Sequence, residues 1–422
     1  MTDTIPTTWE IKTLDECAEI ISSPVDKKSR PNEKMVKLCN YMDVYSNRQI
    51  NKSLEFMEAT AKDREIERFQ LFKDDLVVTK DSEDPTDIGV PALVVEDIED
   101  LVCGYHLAIV RTSKKVINPD FCLYLFLHES VQKQFFLAAN GSTRFGLGVG
   151  ELQRTLVPVP PLVEQEKIAD ILTSVDDTIE HTHAQVAKLQ DLKTATMNEL
   201  LTRGIGHTEF RESELGLIPT TWEIKEIGEV SEFVTSGSRG WAKYYSPKGA
   251  IFIRITNLTR AKIDLNLNSI KRVLPPDSAE AARTKVRSGD IVISITADLG
   301  VVAVINDVME DAYVSQHLGL VRLKSEIGLN PRWLGYVLSE ERCQRQFIRG
   351  NDSGAKAGLS LPTIRNIKIT IPLIEEQNKI VRILDSFEDQ IEAVESKLVQ
   401  LESLKKSLMG DLLTGRVRVS VD

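Results

Sequence analysis

The sequence predicts an α+β protein arranged as a pseudo-twofold internal repeat: two mixed α/β domains separated by two long antiparallel coiled-coil helices. Three observations carry that expectation. The octapeptide Ile5-Pro-Thr-Thr-Trp-Glu-Ile-Lys12 recurs unchanged at 218–225. Pro160-Pro-Leu-Val-Glu-Gln-Glu-Lys-Ile168 returns, slightly varied, as Pro372-Leu-Ile-Glu-Glu-Gln-Asn-Lys-Ile380. Each copy of this second motif leads into a long segment with a heptad period. An internal repeat constrains the architecture before any single element is read.

In chain order the repeat divides the protein into a first variable domain (1–158), a first helix (159–204), a linker (205–217), a second variable domain (218–370), a second helix (371–415) and a tail (416–422). At ~150 residues per domain the length allows separate cores. Each variable domain mixes short β-branched runs (76–79, 90–95, 251–255, 290–296, 301–305) with helical stretches at 121–136 and 331–347, the pattern of a compact domain with many turns. Smaller echoes keep their order: Asp75-Leu-Val-Val-Thr79 answers Asp290-Ile-Val-Ile-Ser294, and Tyr105-His-Leu107 answers Gln316-His-Leu318. His106 and His317, each beside apolar residues, read as core or turn histidines.

Pro160, Pro161 and Pro372 open the two helices, and Gly204 and Gly415 close them. Steps of four and three fall on Ile168, Leu172, Val175, Ile179, Thr182, Val186, Leu189, Lys193, Thr196 and Leu200 in the first. In the second they fall on Ile380, Leu384, Phe387, Ile391, Val394, Leu398, Leu401, Lys405, Leu408 and Leu412. A 3.5-residue period held over several heptads makes a left-handed coiled-coil seam, and the simplest partner for one helix is the other. Lys193 and Lys405 share a seam position, where a polar residue weakens the pair but fixes its register. The competing arrangement has each helix cover only its own domain. Ile171 and Ile383 add apolar groups on the outer faces.

Hydrophobic residues make up 42% and charged residues 27% of the chain, an ordinary soluble balance. No apolar run approaches the ~18 residues of a membrane span, and the N-terminus lacks an export segment. Five scattered cysteines (Cys17, Cys39, Cys103, Cys122, Cys343) without a CxxC pair argue against a disulfide framework or zinc site and for a reducing cytoplasm. The net charge of −11 is unevenly spread: the first domain and both helices are acidic, while the second domain is basic. A local positive face is what phosphate binding needs, so the overall sign does not exclude nucleic acid.

Candidate contacts follow from loops that mix cations, glycine, amides and aromatics, able to track phosphates or reach base edges. In the second domain these are Arg239, Trp241, Lys243, Tyr244, Lys248, Arg254, Asn257, Arg287, Arg349 and Lys356; in the first, Lys27, Lys28, Arg30, Asn40, Tyr41, Lys80 and Arg144. The motifs that are missing also count. There is no (N/D)PP(Y/F) methylation motif and no GxxxxGK(S/T) phosphate loop. Phe145-Gly-Leu-Gly-Val-Gly150 imitates a nucleotide loop, but no strand precedes it and prolines follow, so it reads as a flexible turn. His181 and His183 lie two apart on a helix and face different directions, a poor metal pair. No nucleophile–base set, metal or cofactor emerges.

The doubled IPTTWEIK opening, the doubled PL-EQ-KI helix entry, the Leu-Leu-Thr helix ends (200–202, 412–414) and the linker His207-Thr-Glu-Phe-Arg-Glu-Ser-Glu-Leu-Gly216 together resemble the specificity subunit of type I restriction–modification enzymes, over nearly the whole chain. The resemblance implies a non-catalytic protein with two target-recognition domains, each reading half of a bipartite, asymmetric sequence in double-stranded DNA. It further implies that the helices act as spacer and as platform for two methyltransferase subunits, and that motor–nuclease subunits complete the complex. About 38 residues at ~1.5 Å rise give a rod of roughly 57 Å, against ~34 Å per DNA turn. Since the recognition domains vary between such proteins, no base-contacting residue carries over. The alternatives are a methyltransferase in its own right, built on the 145–150 loop, and a protein scaffold without a DNA role.

Overall fold

The computed structural model describes residues 6–306, 311–350 and 358–420. The chain resolves into two compact units. The first holds 1–183 and 396–422, the second 184–395. Each unit is therefore a variable domain together with one half of each long helix.

The first unit contains β1 (Glu10–Thr13), β2 (Ala18–Ser22), β3 (Lys34–Cys39), β4 (Gln49–Ile50), β5 (Met57–Ala61), β6 (Asp75–Thr79), β7 (Asp81–Ser82), β8 (Pro91–Val94), β9 (Leu101–Cys103), β10 (Leu107–Thr112), β11 (Phe145–Gly146) and β12 (Leu156–Val159). A five-stranded sheet runs β2-β10-β6-β8-β4 and a three-stranded sheet β5-β3-β9, with β3 and β9 parallel. The odd residues of β6 and β10 face the core between the sheets (Val77, Leu107, Ile109), while the even ones face the helices (Leu76, Val78, Ala108, Val110). Burial on both faces explains why these strands read as unbroken apolar runs instead of alternating ones. Around them lie α1 (Tyr41–Tyr45), α2 (Pro119–Leu127), α3 (Glu129–Ala138) and the long α4 (Leu162–Arg203).

The second unit repeats the plan with β13 (Glu223–Glu226), β14 (Ser231–Ser236), β15 (Tyr245–Ser246), β16 (Ala250–Ile253), β17 (Arg272–Val273), β18 (Ile291–Ser294), β19 (Val302–Val304), β20 (Ala312–Val314), β21 (Leu318–Leu323) and β22 (Lys368–Ile371), followed by α5 (Pro331–Ser339), α6 (Glu341–Arg349) and the long α7 (Ile374–Leu412). Its sheets run β14-β21-β18-β19 and β15-β17-β16-β20, with β16 and β20 parallel. In both units a two-stranded antiparallel pair closes the domain, β1 with β12 and β13 with β22.

The helical stretches expected at 121–136 and 331–347 are each divided into two helices. His128 and Glu340 take extended backbone angles and cap the helix that follows, His128 accepting from Ser130 N (3.3 Å) and Glu340 from Arg342 N (3.0 Å). Without proline or glycine at either break, nothing in the local sequence marks it.

The two repeated motifs meet. Trp9 Nε1 donates to Glu164 (3.0 Å) and Trp222 Nε1 to Glu376 (3.2 Å), so the tryptophan of one motif is held by the glutamate of the other. The next glutamine clips the backbone. Gln165 accepts from Asn118 N (2.8 Å) and donates to Pro160 O (2.7 Å), and Gln377 does the same with Asn330 N (2.8 Å) and Pro372 O (2.8 Å). Gly204 (φ +68°) ends α4, and a Cβ there would fall 2.8 Å from Trp222 Cζ2. Glu376 also accepts from Ile205 N (2.9 Å) and contacts His207 Nε2 (2.8 Å). Glu376→Ala would leave two part-buried groups, Trp222 Nε1 and His207 Nε2, without this partner, so denaturant unfolding of this variant should show a loss of about 1–3 kcal/mol. An unchanged midpoint would separate the motif from stability.

The heptad reading holds within each unit. Every seam position of α4 and α7 is buried or half-buried, while most intervening positions are exposed. In the first unit Lys405 pairs with Asp176 (2.6 Å) and His183 meets Glu402 (4.0 Å); in the second Lys193 pairs with Glu388 (2.8 Å). Rising numbers on one helix meet falling numbers on the other, so the pairing is antiparallel. The seam lysines are not unpaired: each faces an acid of the other helix, and the two ion pairs occupy equivalent places in the repeat. The competing arrangement also has its share. Ile168, Leu172 and Leu412 are buried in the first domain's core, and Ile380 and Leu384 in the second's. Ile171 packs against that first core and is not an outer-face group, whereas Ile383 is exposed.

Candidate nucleic-acid interface

In the first domain, three connections leave the sheets at the same end and are laced by backbone bonds. β3 ends at Cys39, whose carbonyl accepts from Gly104 N in the β9–β10 turn (2.9 Å). That turn places His106, whose carbonyl accepts from Lys80 N after β6 (3.0 Å). The carbonyl of Lys80 accepts in turn from Leu147 N after β11 (2.7 Å). The second domain reproduces the lacing bond for bond: Ser315 N to Ile253 O (2.9 Å), Ile295 N to His317 O (3.0 Å) and Leu359 N to Ile295 O (3.0 Å). One backbone frame is thus built twice.

The side chains on the frame differ. In the first domain the edge carries Asn40, Tyr41, Lys80, Tyr105 and His106. His106 Nδ1 meets Asp81 (2.8 Å), Lys80 Nζ donates to Ser22 Oγ (2.8 Å), and Tyr41 stacks on Tyr45 at 5.4 Å. Burial, then the nearby Asp87, raises the Tyr41 phenol above its ordinary value; Arg144 is near enough to oppose this. Tyr45 is raised by its own bond to Asp87 (2.7 Å). Asp43 accepts from Asn40 N (2.7 Å), yet burial raises its carboxyl, with Lys27 near enough to pull the other way. In the second domain the corresponding places hold Arg254, Ile295, Gln316 and His317. His317 Nδ1 meets Thr296 Oγ1 (2.9 Å), and Arg254 N donates to Asn257 Oδ1 (3.0 Å) as Asn40 N does to Asp43.

The frame sorts the sequence-derived candidates. It brings together Asn40, Tyr41, Lys80 and Arg144, with Lys27 close by. Lys28 and Arg30 are exposed in the β2–β3 loop, where Arg30 pairs with Asp26 (3.1 Å). Arg254 lies on the second edge. Arg239 is exposed beside it, its backbone N bonded to Glu280 (3.1 Å), next to the Ser238–Ser315 bridge. Lys243 lies over the Tyr244 ring (4.9 Å), and Lys248 is exposed ahead of β16. Trp241 and Asn257 are each only 2% exposed. The indole stacks on Phe252 (5.7 Å) and bonds Glu280 (3.2 Å), and the Asn257 amide donates to Asn266 O (2.9 Å) and Ser269 O (3.1 Å). Both support the loops from beneath. Arg287 precedes β18, at the end of the sheet away from His317, and Arg349 is exposed at the end of α6. Lys356 lies outside the described residues.

Tyr105 and Gln316 were passed over by the sequence reading, although their signal was there in the echoing x-His-Leu triplets. The 145–150 segment is strand β11 followed by a short helix (Val149–Gln153), not a nucleotide loop. Among the described residues no group of three or more His, Cys, Asp or Glu is placed to hold a metal, and all five cysteines are buried free thiols. No described helix is long and apolar enough to cross a membrane. The frames offer hydrogen-bond donors, acceptors and cations, which is equipment for recognition.

Comparison with known proteins agrees. The profile of the type I restriction modification DNA specificity domain matches twice, over residues 6–191 and 219–403. The MjaVIII type I restriction enzyme specificity subunit of Methanocaldococcus jannaschii is 29% identical over 308 residues, covering 70% of either chain. The EcoBI specificity subunit of Escherichia coli is 24% identical over 354 residues, covering 76% of this chain and 74% of its own. The fold is shared with the S subunit of a type I restriction-modification system from M. genitalium (TM-score 0.57, 14% identity, 100% and 98% covered). It is shared equally with a chain from a study of assembly and conformational transition in a type I system (TM-score 0.59, 18% identity, 99% and 100% covered).

Proposed function

The chain belongs to the family of type I restriction–modification DNA specificity domains, and from that premise we propose how it works. It is the non-catalytic DNA-reading subunit of a type I complex, and each domain reads one half of a bipartite target through its laced edge. The carrying observation is one backbone frame occurring twice with different side chains. A shared frame gives both domains the same way of docking, and unlike side chains give unlike half-sites, hence an asymmetric target. Affinity comes from phosphate contacts and falls steeply with salt; specificity comes from the major groove.

The paired helices set the gap between the half-sites and seat two methyltransferase subunits, and motor–nuclease subunits join to complete the restriction enzyme, in the cytoplasm. The coiled-coil periodicity of α4 and α7 supports the spacer role. Methylated positions mapped in host DNA should form two base blocks with a fixed gap. One heptad added to both helices lengthens each by about 10 Å, close to three base pairs, and should widen that gap. A single block would remove the two-domain reading, and an unchanged gap would remove the spacer role.

A further inference from the structure

We infer that Gln316 reads an adenine in the half-site of the second domain, with His317 as its positioning residue. The inference rests on the DNA-reading role proposed above. Gln316 stands at the tip of the β20–β21 turn, which is held from three sides: by the Ser238–Ser315 bridge, by Ser315 N to Ile253 O (2.9 Å) and by Ile295 N to His317 O (3.0 Å). The imidazole of His317 is fixed at both nitrogens. Gln316 Nε2 donates to Nε2 (3.1 Å), so Nδ1 carries the ring proton and donates to Thr296 Oγ1 (2.9 Å). This clamp uses one amide proton of Gln316. The other amide proton and Oε1 have no partner among the described residues. A held carboxamide with a free donor and a free acceptor matches the N7 acceptor and N6 donor of adenine in the major groove.

An independent observation at the same edge points to a ligand. Arg254 follows β16, the strand paired with β20 (Ile253 with Val314). Among the described residues its Nε is buried without a hydrogen-bond partner, and so is the hydroxyl of Ser315. Buried unpaired donors are unfavourable, so the edge gains from a rearrangement on binding that turns them to a phosphate or base edge. The first domain places Tyr105 where Gln316 stands, so the two half-sites differ at this position.

The test uses the full chain assembled with its methyltransferase partners and duplexes varied one base at a time. Gln316→Ala should lower discrimination for adenine at one position of the second half-site by on the order of 10- to 100-fold, leaving the first half-site unchanged. Gln316→Glu, an acceptor only, should move that preference toward cytosine, an outcome that misfolding does not produce. His317→Ala should keep the preference but weaken it. If Gln316→Ala weakens all duplexes equally, or leaves the preference intact while exchange of the second domain still transfers its half-site, the assignment to Gln316 is overturned. If domain exchange transfers nothing, the DNA-reading role itself falls.

Discussion

Replacing residues 219–370 with the matching domain of another family member should change one half of the recognised sequence and leave the other half as it was. Two of the domain's cores lie wholly inside the exchanged segment, and the third is completed by Leu201, Ile218, Ile380, Val381 and Leu384 outside it, so most of the packing travels with the domain. Its two ends are neighbours, because β13 and β22 pair from Glu223 with Ile371 to Glu226 with Lys368, and both junctions fall at that pair. What the incoming domain must meet is supplied by the doubled motifs: its own counterpart of Trp222 meets the resident Glu376. A mismatched base pair costs about 1–3 kcal/mol, so a block of three bases alters discrimination by roughly 3–9 kcal/mol. That is enough to move methylation entirely to new sites. Mapping methylated positions in cells carrying the chimaera reads the result, and altered bases in both halves would refute independent reading.

How much of this was legible beforehand depended on whether a residue's role was local or spatial. The seam was legible because a period of 3.5 residues is written along one segment, and the burial of Val175, Ile179, Val186 and Leu189 follows it. That Lys193 and Lys405 occupy equivalent seam positions was equally plain, but not that each has a carboxylate opposite, since Glu388 and Asp176 lie on the other helix. The laced edge was legible only in part. Charge and loop composition picked out Asn40, Lys80 and Arg254, but composition does not separate a surface aromatic from a buried one, and Trp241 proved to be core. Tyr105 and Gln316 carry no charge and sit in short turns; the echoing triplets mark the turns, but only the strand pairings that converge on them show that both side chains lie on the edge. The breaks at His128 and Glu340 were invisible, because each is a capping bond made by a residue common inside helices.

The largest expected loss of stability comes from a pair that the repeat also duplicates. Arg322, on β21, faces Asp290, just ahead of β18, donating Nε to Oδ1 (2.8 Å) and Nη2 to Oδ2 (2.6 Å), while Nη2 also reaches Lys285 O (3.1 Å). Arg111 makes the same bidentate bonds to Asp75 (2.9 and 2.7 Å) and reaches Gln70 O (3.1 Å). Each guanidinium also lies over a ring, Phe233 at 4.8 Å and Phe72 at 4.9 Å. The difference is water. The Arg322 and Asp290 side chains are 10% and 2% exposed, whereas Arg111 is 31% exposed. Removing one partner of a buried pair strands the other charge, at a cost of about 3–5 kcal/mol. Asp290→Ala should therefore destabilise the chain by about that amount, and Asp75→Ala by less, because Arg111 can turn its charge to solvent. Replacing both members with apolar residues, Asp290→Leu with Arg322→Met, should recover most of the loss, since the penalty belongs to the orphaned charge and not to the missing bond. Denaturant unfolding of the full chain measures all three. Equal losses for the two aspartates, or a double variant as weak as Asp290→Ala, would show that the stranded cation is not the cause.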